Sequence, residues 1–348
     1  MSARLLVDLA ALRANYRALC AVADEVAAVV KADAYGCGVG PIAQTLADAG
    51  CKHFFVATCA EALALRRVLP QTNIYVFEGP LADTAAALAA AAIVPVVNHE
   101  QQLQHWAPFR EHAIAVAVDT GMARLGFDPQ DLQPELLRGF LPVLLLTHFA
   151  CADEPDDDLN AQQLARFAKV QARFPDLPVS LGNSAATLSA QVPTLGLARP
   201  GIALYGGAPF VHADSRLAPV AALQGQILQI RRVAAGASVG YGATWSPASE
   251  SRVAIVGLGY ADGLRRTLSN LGSAIVAGQR VPIVGRISMD LTHLDVTQAQ
   301  ARVGDWVEFF GPQLAIGEVS ALLQTIDYEV LTSIGSRVRR IYSDPTST

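Results

Sequence analysis

Short apolar runs alternate with longer amphipathic segments through the first two-thirds of the chain. The apolar runs occupy residues 27–31, 53–57, 73–77, 93–97, 113–119, 141–149, 178–183 and 196–200. The segments between them, such as GPIAQTLADAG and AQQLARFAKVQARF, are rich in alanine and leucine and predict helices. Runs that are apolar throughout are typical of parallel strands covered on both faces. Eight such repeats predict an α/β fold, a (β/α)8 barrel of the TIM type.

An open, doubly wound parallel sheet is the alternative arrangement of the same elements. A dinucleotide-binding sheet of that kind carries a G-x-G-x-x-G motif directly after its first strand. The chain instead reads VVKADAYGCGVG at this place, which lacks that spacing of glycines. The pattern therefore favours the barrel.

The pattern changes after Pro219, where short β-type runs are separated by glycine turns. QGQILQIRRVAAG, ASVGYGATW and GDWVEFFG are examples. They predict a mostly β domain, closed by one helix near residues 318–326. We expect the barrel to span residues 1–217 and the β domain residues 218–348. We expect the first few residues to pair with the β domain.

Composition and charge exclude several classes of protein. The chain has 348 residues, of which 52% are hydrophobic, but its apolar runs fall short of the roughly 20 residues that cross a bilayer. A net charge of −5 without a basic stripe argues against nucleic acid as a partner. The first residues make a poor signal peptide, and five cysteines without a C-x-x-C pair suit reduced thiols. We therefore expect a cytoplasmic protein that does not bind membranes.

A metal site is not expected either. The seven histidines show no ligand spacing, and the acidic run DEPDDD lacks the glycine and distal glutamate of a calcium loop. A solvated loop is the simpler interpretation of that run.

Polar residues stand at the ends of several predicted strands. Lys31 follows the apolar run EVAAVV, and a lysine is rarely buried without a partner. Either the strand ends and Lys31 points into water, or the lysine is reactive. His148 and Arg199 occupy similar places on later strands, and barrels carry their chemistry at the carboxyl ends of strands. The segment RPGIALYGG after the eighth strand offers backbone N–H groups for a phosphate. A reactive lysine beside a phosphate site indicates pyridoxal phosphate.

The motifs, taken in order, resemble those of the alanine racemase family. They are VVKADAYGCG, DTGMARLGF, THFACADE, GNSAAT, ARPGIALYG, VGYGATW, GYADG, VPIVGRISMDL and DYEV, and the resemblance runs from Leu5 to Tyr342. It implies a pyridoxal 5′-phosphate barrel followed by a β domain, in an enzyme that interconverts L- and D-alanine. It also implies a homodimer whose active sites are shared between the chains, with a small amino acid as substrate.

The resemblance implies a role for each matching residue. Lys31 becomes the lysine that forms a Schiff base with the cofactor. Arg199 meets the pyridine nitrogen, and His148 supports Arg199. The groups at the cofactor phosphate are Tyr35, Ser184, Gly201, Ile202 and Tyr328.

The remaining implied roles concern the substrate and the second base. Arg124 reaches the phenolic oxygen of the cofactor and the substrate carboxylate, with Asn183 on the side of this arginine. The backbone amide of Met289 helps to hold the carboxylate. Tyr260, in GYADG, is implied to be the second base, although the residues alone equally allow an ordinary turn tyrosine.

The chemistry of racemisation is consistent with two bases, one on each face of the substrate. Racemisation removes a proton from one face of Cα and returns it on the other, so Lys31 and Tyr260 would flank the cofactor. A free phenol ionises near pH 10, so a tyrosine base needs neighbouring cations or hydrogen-bond donors. Arg199 stays protonated and cannot give a proton to the pyridine nitrogen, which weakens the cofactor as an electron sink and limits side reactions.

One position departs from the family pattern. Many members carry a carbamylated lysine two residues before DTGM, where it positions the arginine, and this chain has Ala117 there. An inorganic anion or a nearby acid is the expected substitute.

Three rival functions share the scaffold. They are a broad-specificity amino-acid racemase, a pyridoxal-phosphate carrier without turnover, and a decarboxylase. The carrier would match only the first 220 residues, and neither it nor the decarboxylase explains Tyr260.

Overall fold

A computed structural model of the chain describes residues 2–210 and 216–344. In this part of the chain the strands, β1 to β17 in order, are Ala3–Asp8, Glu25–Val26, Ala28–Val29, His53–Val56, Asn73–Val76, Val94–Val97, Ala113–Ala117, Leu141–Leu146, Val179–Ser180, Leu197–Ala198, Ala221–Val233, Ser251–Val256, Ser273–Val276, Gln279–Pro282, Thr292–Asp295, Trp306–Phe310 and Arg339–Ser343.

The helical segments of the same residues, α1 to α10 in order, are Leu9–Cys20, Lys31–Tyr35, Val39–Asp48, Cys59–Val68, Ala85–Ala90, Glu100–Trp106, Asp158–Gln171, Ser184–Leu188, Ile316–Leu322 and Asp327–Thr332. Short 3-10 turns occupy Ala107–Phe109, Pro134–Leu137, Ile202–Tyr205, Tyr241–Ala243, Tyr260–Asp262 and Arg266–Leu268.

The predicted barrel is confirmed. Strands β3 to β9 form a parallel sheet in sequence order, and β10 pairs in parallel with β2. Because β2 continues through Ala27 into β3, this pairing joins the last strand to the first. The Ala27 amide donates to the Ala198 carbonyl at 2.8 Å, and the Arg199 amide donates to the Gly182 carbonyl at 2.7 Å. These bonds close the sheet on both sides of β10.

The carboxyl half of the chain forms a second, mostly β unit, as predicted. Its sheet runs in the order β14-β13-β16-β11-β1-β17, and β12 pairs with both β11 and β15. The amino-terminal strand β1 lies inside this sheet, antiparallel to β11 and parallel to β17. The chain therefore begins in the β unit and enters the barrel through α1.

The structure differs from the sequence prediction near the carboxyl end. The single helix expected near residues 318–326 is two short helices, α9 and α10. The turn between them arises because Gln324 has a positive φ of 53°, and the Ser320 hydroxyl donates to Asp327 Oδ1 at 2.6 Å. This arrangement places α10, which carries Tyr328, against the barrel mouth.

Candidate active site

A cavity of about 430 Å³ lies at the carboxyl ends of the barrel strands. The residues predicted to form the site that line it are Lys31, Tyr35, Arg124, His148, Asn183, Ser184, Arg199, Gly201 and Tyr328. Ile202 is fully buried directly after Gly201. The fold thus collects residues from six separate segments of sequence into one volume, and its size suits a small cofactor with a small substrate.

Lys31 does not end a strand but opens a left-handed turn. Strand β3 ends at Val29, and the four residues Ala32–Tyr35 have φ values between 51° and 54°. None of the four is glycine, although a left-handed conformation costs an ordinary residue about 1–2 kcal/mol. Such strain is typical of functional sites, where surrounding contacts hold the backbone.

The amine of Lys31 lies in an environment that favours its neutral form. Burial lowers the pKa of Lys31, and the positive charge of Arg124 lowers it further, while Glu61 opposes both. A lysine needs its neutral form to act as a nucleophile or a base. Of the two sequence interpretations, this environment agrees better with a reactive lysine than with one that points into water.

Arg199 is buried at the cavity wall, and both terminal nitrogens of its guanidinium are hydrogen-bonded. Its Nη1 donates to Ser180 Oγ, and its Nη2 donates to the Thr147 carbonyl at 2.6 Å. Nη2 also lies 3.5 Å from Nδ1 of His148. Burial lowers the pKa of Arg199 to about 10, so the group stays charged at neutral pH.

His148 is held as a neutral imidazole. Burial lowers the pKa of His148 to about 3, and the cations Arg199, Arg124 and Lys31 act in the same direction. A neutral ring can accept a hydrogen bond from Arg199 through the nitrogen that lacks a proton. The pair therefore fixes the position of the guanidinium without adding a second charge.

A small cradle lies between the end of β10 and α10. The amides of Gly201 and Ala203 donate to Ser184 Oγ at 2.9 and 3.3 Å. A β-carbon at Gly201 would lie 2.0 Å from the hydroxyl of Tyr35, so only glycine fits there. The Tyr35 ring stacks on Tyr205 and contacts Tyr328, with ring centroids 4.7 and 5.9 Å apart. Hydroxyl and amide groups gathered in this way are suited to a phosphate.

The loop after β7 presents Arg124 to the cavity. Asp119 folds this loop, because its carboxylate accepts from the amides of Gly121, Met122 and Arg124, each at 2.8 Å. Burial raises the pKa of Asp119, but these backbone bonds outweigh burial and lower it. Ala117 ends β7, is buried, and lines the same cavity. Among the described residues, no acid is paired with the Arg124 side chain.

Two predicted site residues lie away from the cavity. Tyr260 and Met289 are on the β unit, 43% and 52% exposed, and neither lines the cavity of its own chain. They are neighbours, since the Ala261 amide donates to the Met289 carbonyl at 3.0 Å. A single chain therefore does not bring these residues to Lys31.

The same face of the β unit carries a tyrosine that the sequence analysis did not single out. Tyr241 is 71% exposed and stands between Gly240 and Gly242, which both have a φ of 71°. A β-carbon at Gly242 would lie 2.8 Å from Nη1 of Arg286, so the guanidinium packs on this turn. Arg286 lies only three residues before Met289. The sequence feature that could have identified Tyr241 is its position between two glycines in VGYGATW.

The described residues contain neither a membrane-spanning helix nor a metal-binding cluster. Within residues 2–210 and 216–344, no helix has the length and apolar character needed to span a membrane. No three histidine, cysteine, aspartate or glutamate side chains of these same ranges are grouped as a metal ion requires.

Comparison with known proteins covers nearly the whole chain. The family model for the alanine racemase N-terminal domain matches residues 7–209, and that for the alanine racemase C-terminal domain matches residues 220–342. An alanine racemase of Methylobacterium nodulans is 44% identical over an alignment 359 positions long, covering 99% of this chain and 97% of the relative. A catabolic alanine racemase of Agrobacterium fabrum is 42% identical over an alignment 360 positions long, covering 99% of this chain and 93% of the relative.

Solved structures of alanine racemases match the fold over nearly the whole chain. A crystal structure of alanine racemase from Bartonella henselae, with covalently bound pyridoxal phosphate, matches with a TM-score of 0.93 and 37% identity, covering 99% of this chain and 100% of that one. The biosynthetic alanine racemase of Pseudomonas aeruginosa matches with a TM-score of 0.89 and 35% identity, covering 99% of each chain.

Proposed function

Since the chain belongs to the alanine racemase family, we propose that Lys31 and a tyrosine of a partner subunit are the two bases of its reaction. The protein is an alanine racemase that uses pyridoxal phosphate to interconvert L- and D-alanine. The observation that carries the proposal is the cavity in which Lys31, Arg124 and Arg199 meet a phosphate cradle.

The residues present fit the cofactor. The Tyr35 hydroxyl packs against Gly201, where a β-carbon would collide with it, and together with Ser184 Oγ and the neighbouring amides it offers polar groups suited to a phosphate. Tyr328, whose ring contacts Tyr35, and the amide of Ile202 would complete this cradle. Lys31 would attach the cofactor, and Arg199, held by His148, would face its ring nitrogen. When bound, the cofactor supplies an electron-withdrawing ring that stabilises negative charge at the substrate Cα.

The chain's own residues would bind the substrate and move the proton. The guanidinium of Arg124 and the backbone amide of the partner subunit's Met289 would hold the substrate carboxylate, with Asn183 beside Arg124. The neutral amine of Lys31 would take or return a proton at one face of Cα. A base on the opposite face completes the exchange, and general acid–base groups of this kind contribute about 10²–10⁴-fold to a rate.

Two tyrosines stand as candidates for the opposite base. Tyr260 is the sequence prediction, and its backbone is anchored by a 3.0 Å bond from its amide to the Ser288 carbonyl. Tyr241 is more exposed and lies on a turn packed against Arg286. Tyr241 is the more exposed of the two and so is freer to enter the cavity of a partner subunit, which makes it the stronger candidate for the base. Tyr260 would then form a wall of the site.

Three organisational features complete the proposal. The barrel comprises residues 1–217 and the β domain residues 218–348, with β1 contributed to the β domain. Two chains form a homodimer in which the β domain of one closes the cavity of the other. A cytoplasmic location is supported by the five cysteines, all of which are free thiols.

Purified Tyr241→Phe and Tyr260→Phe proteins test the second base as a matched pair. We expect Tyr241→Phe to lose about 100-fold or more in turnover of L- and D-alanine by chiral chromatography, and Tyr260→Phe to lose much less. The reverse order would assign the base to Tyr260. Equal, small losses in both would remove a tyrosine base from the mechanism.

The cofactor site is tested separately. Borohydride reduction of the purified protein should fix pyridoxal phosphate to the peptide that contains Lys31. A label on Lys52 or Lys169, the other two lysines of the chain, would overturn the assignment of Lys31.

A further inference from the structure

We propose that Glu61 is a positioning residue for Lys31, because its carboxylate holds the strained turn that carries this lysine and offsets the positive charge around it. The inference rests on the proposed role of Lys31. It concerns a residue outside the cavity lining, on the amino-terminal turn of α4.

The carboxylate of Glu61 connects two barrel strands. Its Oε1 accepts from the amide of Ala32 at 2.7 Å. Its Oε2 accepts from the amides of Ala57 and Thr58 at 2.8 and 3.2 Å. The bond to Thr58, with the return bond from the Glu61 amide to Thr58 Oγ1, forms an ordinary capping box. The bond to Ala32 goes beyond helix capping, since it reaches across to the residue after Lys31.

The left-handed turn needs such external contacts. Four non-glycine residues in this conformation cost about 1–2 kcal/mol each, and the turn has to be held at both ends. At its far end, Arg340 Nε donates to the Gly36 carbonyl at 3.0 Å, and the Tyr342 hydroxyl donates to the Cys37 carbonyl at 3.0 Å. At the near end, the bond from Ala32 to Glu61 serves this purpose.

Charge gives Glu61 a second effect on Lys31. The charged or titratable side chains that share the cavity with Lys31 are Tyr35, Asp119, Arg124, His148, Arg199 and Tyr328. Asp119 is occupied by the amides of its own loop, and His148 is neutral. Arg124 lowers the pKa of Lys31, whereas Glu61 raises it. Removal of the Glu61 charge should therefore lower the pKa of Lys31 further.

The chain is well suited to a direct test, because it has only three lysines. The cofactor-free protein is labelled with acetic anhydride over a range of pH, and the modified peptides are quantified by mass spectrometry. Lys52 and Lys169 serve as internal references in the same digest. In Glu61→Gln, which keeps a carbonyl oxygen but loses the charge, we expect the labelling midpoint of Lys31 to fall by about one pH unit.

Glu78→Gln is the matched control. Glu78 Oε1 accepts from the amide of Cys59, the first residue of α4, at 2.6 Å. This carboxylate caps the same helix but has no bond to the turn of Lys31, so Glu78→Gln should leave the Lys31 midpoint unchanged. A wild-type midpoint in Glu61→Gln, or an equal shift in both variants, would overturn the proposal.

A second variant and readout separate positioning from folding. Glu61→Asp keeps the charge on a shorter side chain, so its Lys31 midpoint should stay closer to that of the wild type than in Glu61→Gln. Glu61→Ala also removes the acceptor of the Ala32 amide, so its uptake of pyridoxal phosphate, followed by absorbance, should be slower than that of the wild type while far-UV circular dichroism stays unchanged. A Glu61→Asp midpoint as low as that of Glu61→Gln would overturn the charge effect. A borohydride label away from Lys31 in the wild type would instead refute the proposed function itself.

Discussion

Ala117 shows how one small side chain changes the environment of a binding residue. It ends β7, is buried, and leaves the cavity beside Arg124 without a carboxylate at this position. The two lysines other than Lys31 do not line the cavity. No carbamate can therefore form at position 117, and the backbone of the Arg124 loop is held by Asp119.

The first prediction is that the enzyme is indifferent to bicarbonate. Racemase activity should stay unchanged when carbon dioxide is stripped from the buffer, because position 117 has no amine to modify. If an inorganic anion assists Arg124, replacement of chloride by a bulky anion should raise the KM for alanine. A severalfold loss of activity on carbon dioxide removal would contradict this prediction, and Lys52→Gln and Lys169→Gln variants would then locate the modified lysine.

A second prediction concerns the pH dependence of stability at His148. The pKa of His148 is about 3 in the folded chain and about 6.5 when unfolded. Between these values the unfolded chain binds a proton that the folded chain does not, so stability falls as the pH falls. From pH 7 to pH 5 this group should remove about 2 kcal/mol. Urea unfolding of the wild type and His148→Asn at both pH values measures the difference.

The expected outcome is a smaller acid-induced loss of stability in His148→Asn than in the wild type. His99→Asn, at an exposed position before α6, is the control and should keep the wild-type dependence. Identical pH dependence in all three proteins would show that His148 takes up a proton in the folded enzyme.

Single residues also mark the limit of what the sequence predicts. Residues that follow the strands, such as Lys31 and Arg199, could be predicted because barrel topology brings all such positions together. Tyr241 could not be distinguished from Tyr260 in this way, since both stand in glycine turns and only the folded structure shows how far each ring is exposed. The role of Glu61 could not be predicted for a similar reason, because its hydrogen bond to Ala32 joins residues that follow two neighbouring strands.

At the scale of elements, the periodic parts of the chain were predicted well and the strained part was not. Each predicted barrel strand is present, though shorter, because apolar runs extend past the last ladder hydrogen bond. No sequence pattern predicted the left-handed turn after β3, since alanine, aspartate and tyrosine do not ordinarily adopt this conformation. Tertiary contacts impose this conformation, and the sequence marks it only through Gly36 at its end.

The third prediction tests the close packing of this turn. Gly36 has a φ of 79°, and a β-carbon there would lie 2.6 Å from the Leu331 carbonyl oxygen of α10. Gly50 has a φ of 100°, but a β-carbon there would meet no atom within 4 Å. Gly50→Ala should cost about 1–2 kcal/mol through backbone strain alone. Gly36→Ala should cost at least about 1 kcal/mol more, because backbone atoms also collide.

Denaturant unfolding of the two alanine variants, with bound pyridoxal phosphate measured by absorbance, checks this expectation. Gly36→Ala should also bind less cofactor, because the turn carries Lys31 and α10 carries Tyr328. Equal stability and equal cofactor content in both variants would show that α10 does not support the turn.

The whole molecule divides its site residues between two surfaces. The cavity collects Lys31 and the other proposed cofactor-binding residues, whereas Tyr241, Tyr260 and Met289 are exposed residues of the β unit. The proposed mechanism places a base on each side of Cα, and of the proposed bases the cavity of one chain holds only Lys31. The proposed twofold dimer would supply the second base, because each chain would then give its β domain to the other and both sites would be equivalent.

The last prediction is that two inactive proteins restore each other. Lys31→Ala and Tyr241→Phe, each nearly inactive alone, are mixed in equal amounts under conditions that exchange subunits, and Tyr260→Phe is mixed with Lys31→Ala in parallel. In a mixed dimer with shared sites, one site receives both substitutions and the other receives both native residues. Random exchange makes about half of the dimers mixed, so about a quarter of wild-type activity should return. If both bases came from one chain, every site would keep one substitution and no activity would return, even with exchange verified by native mass spectrometry.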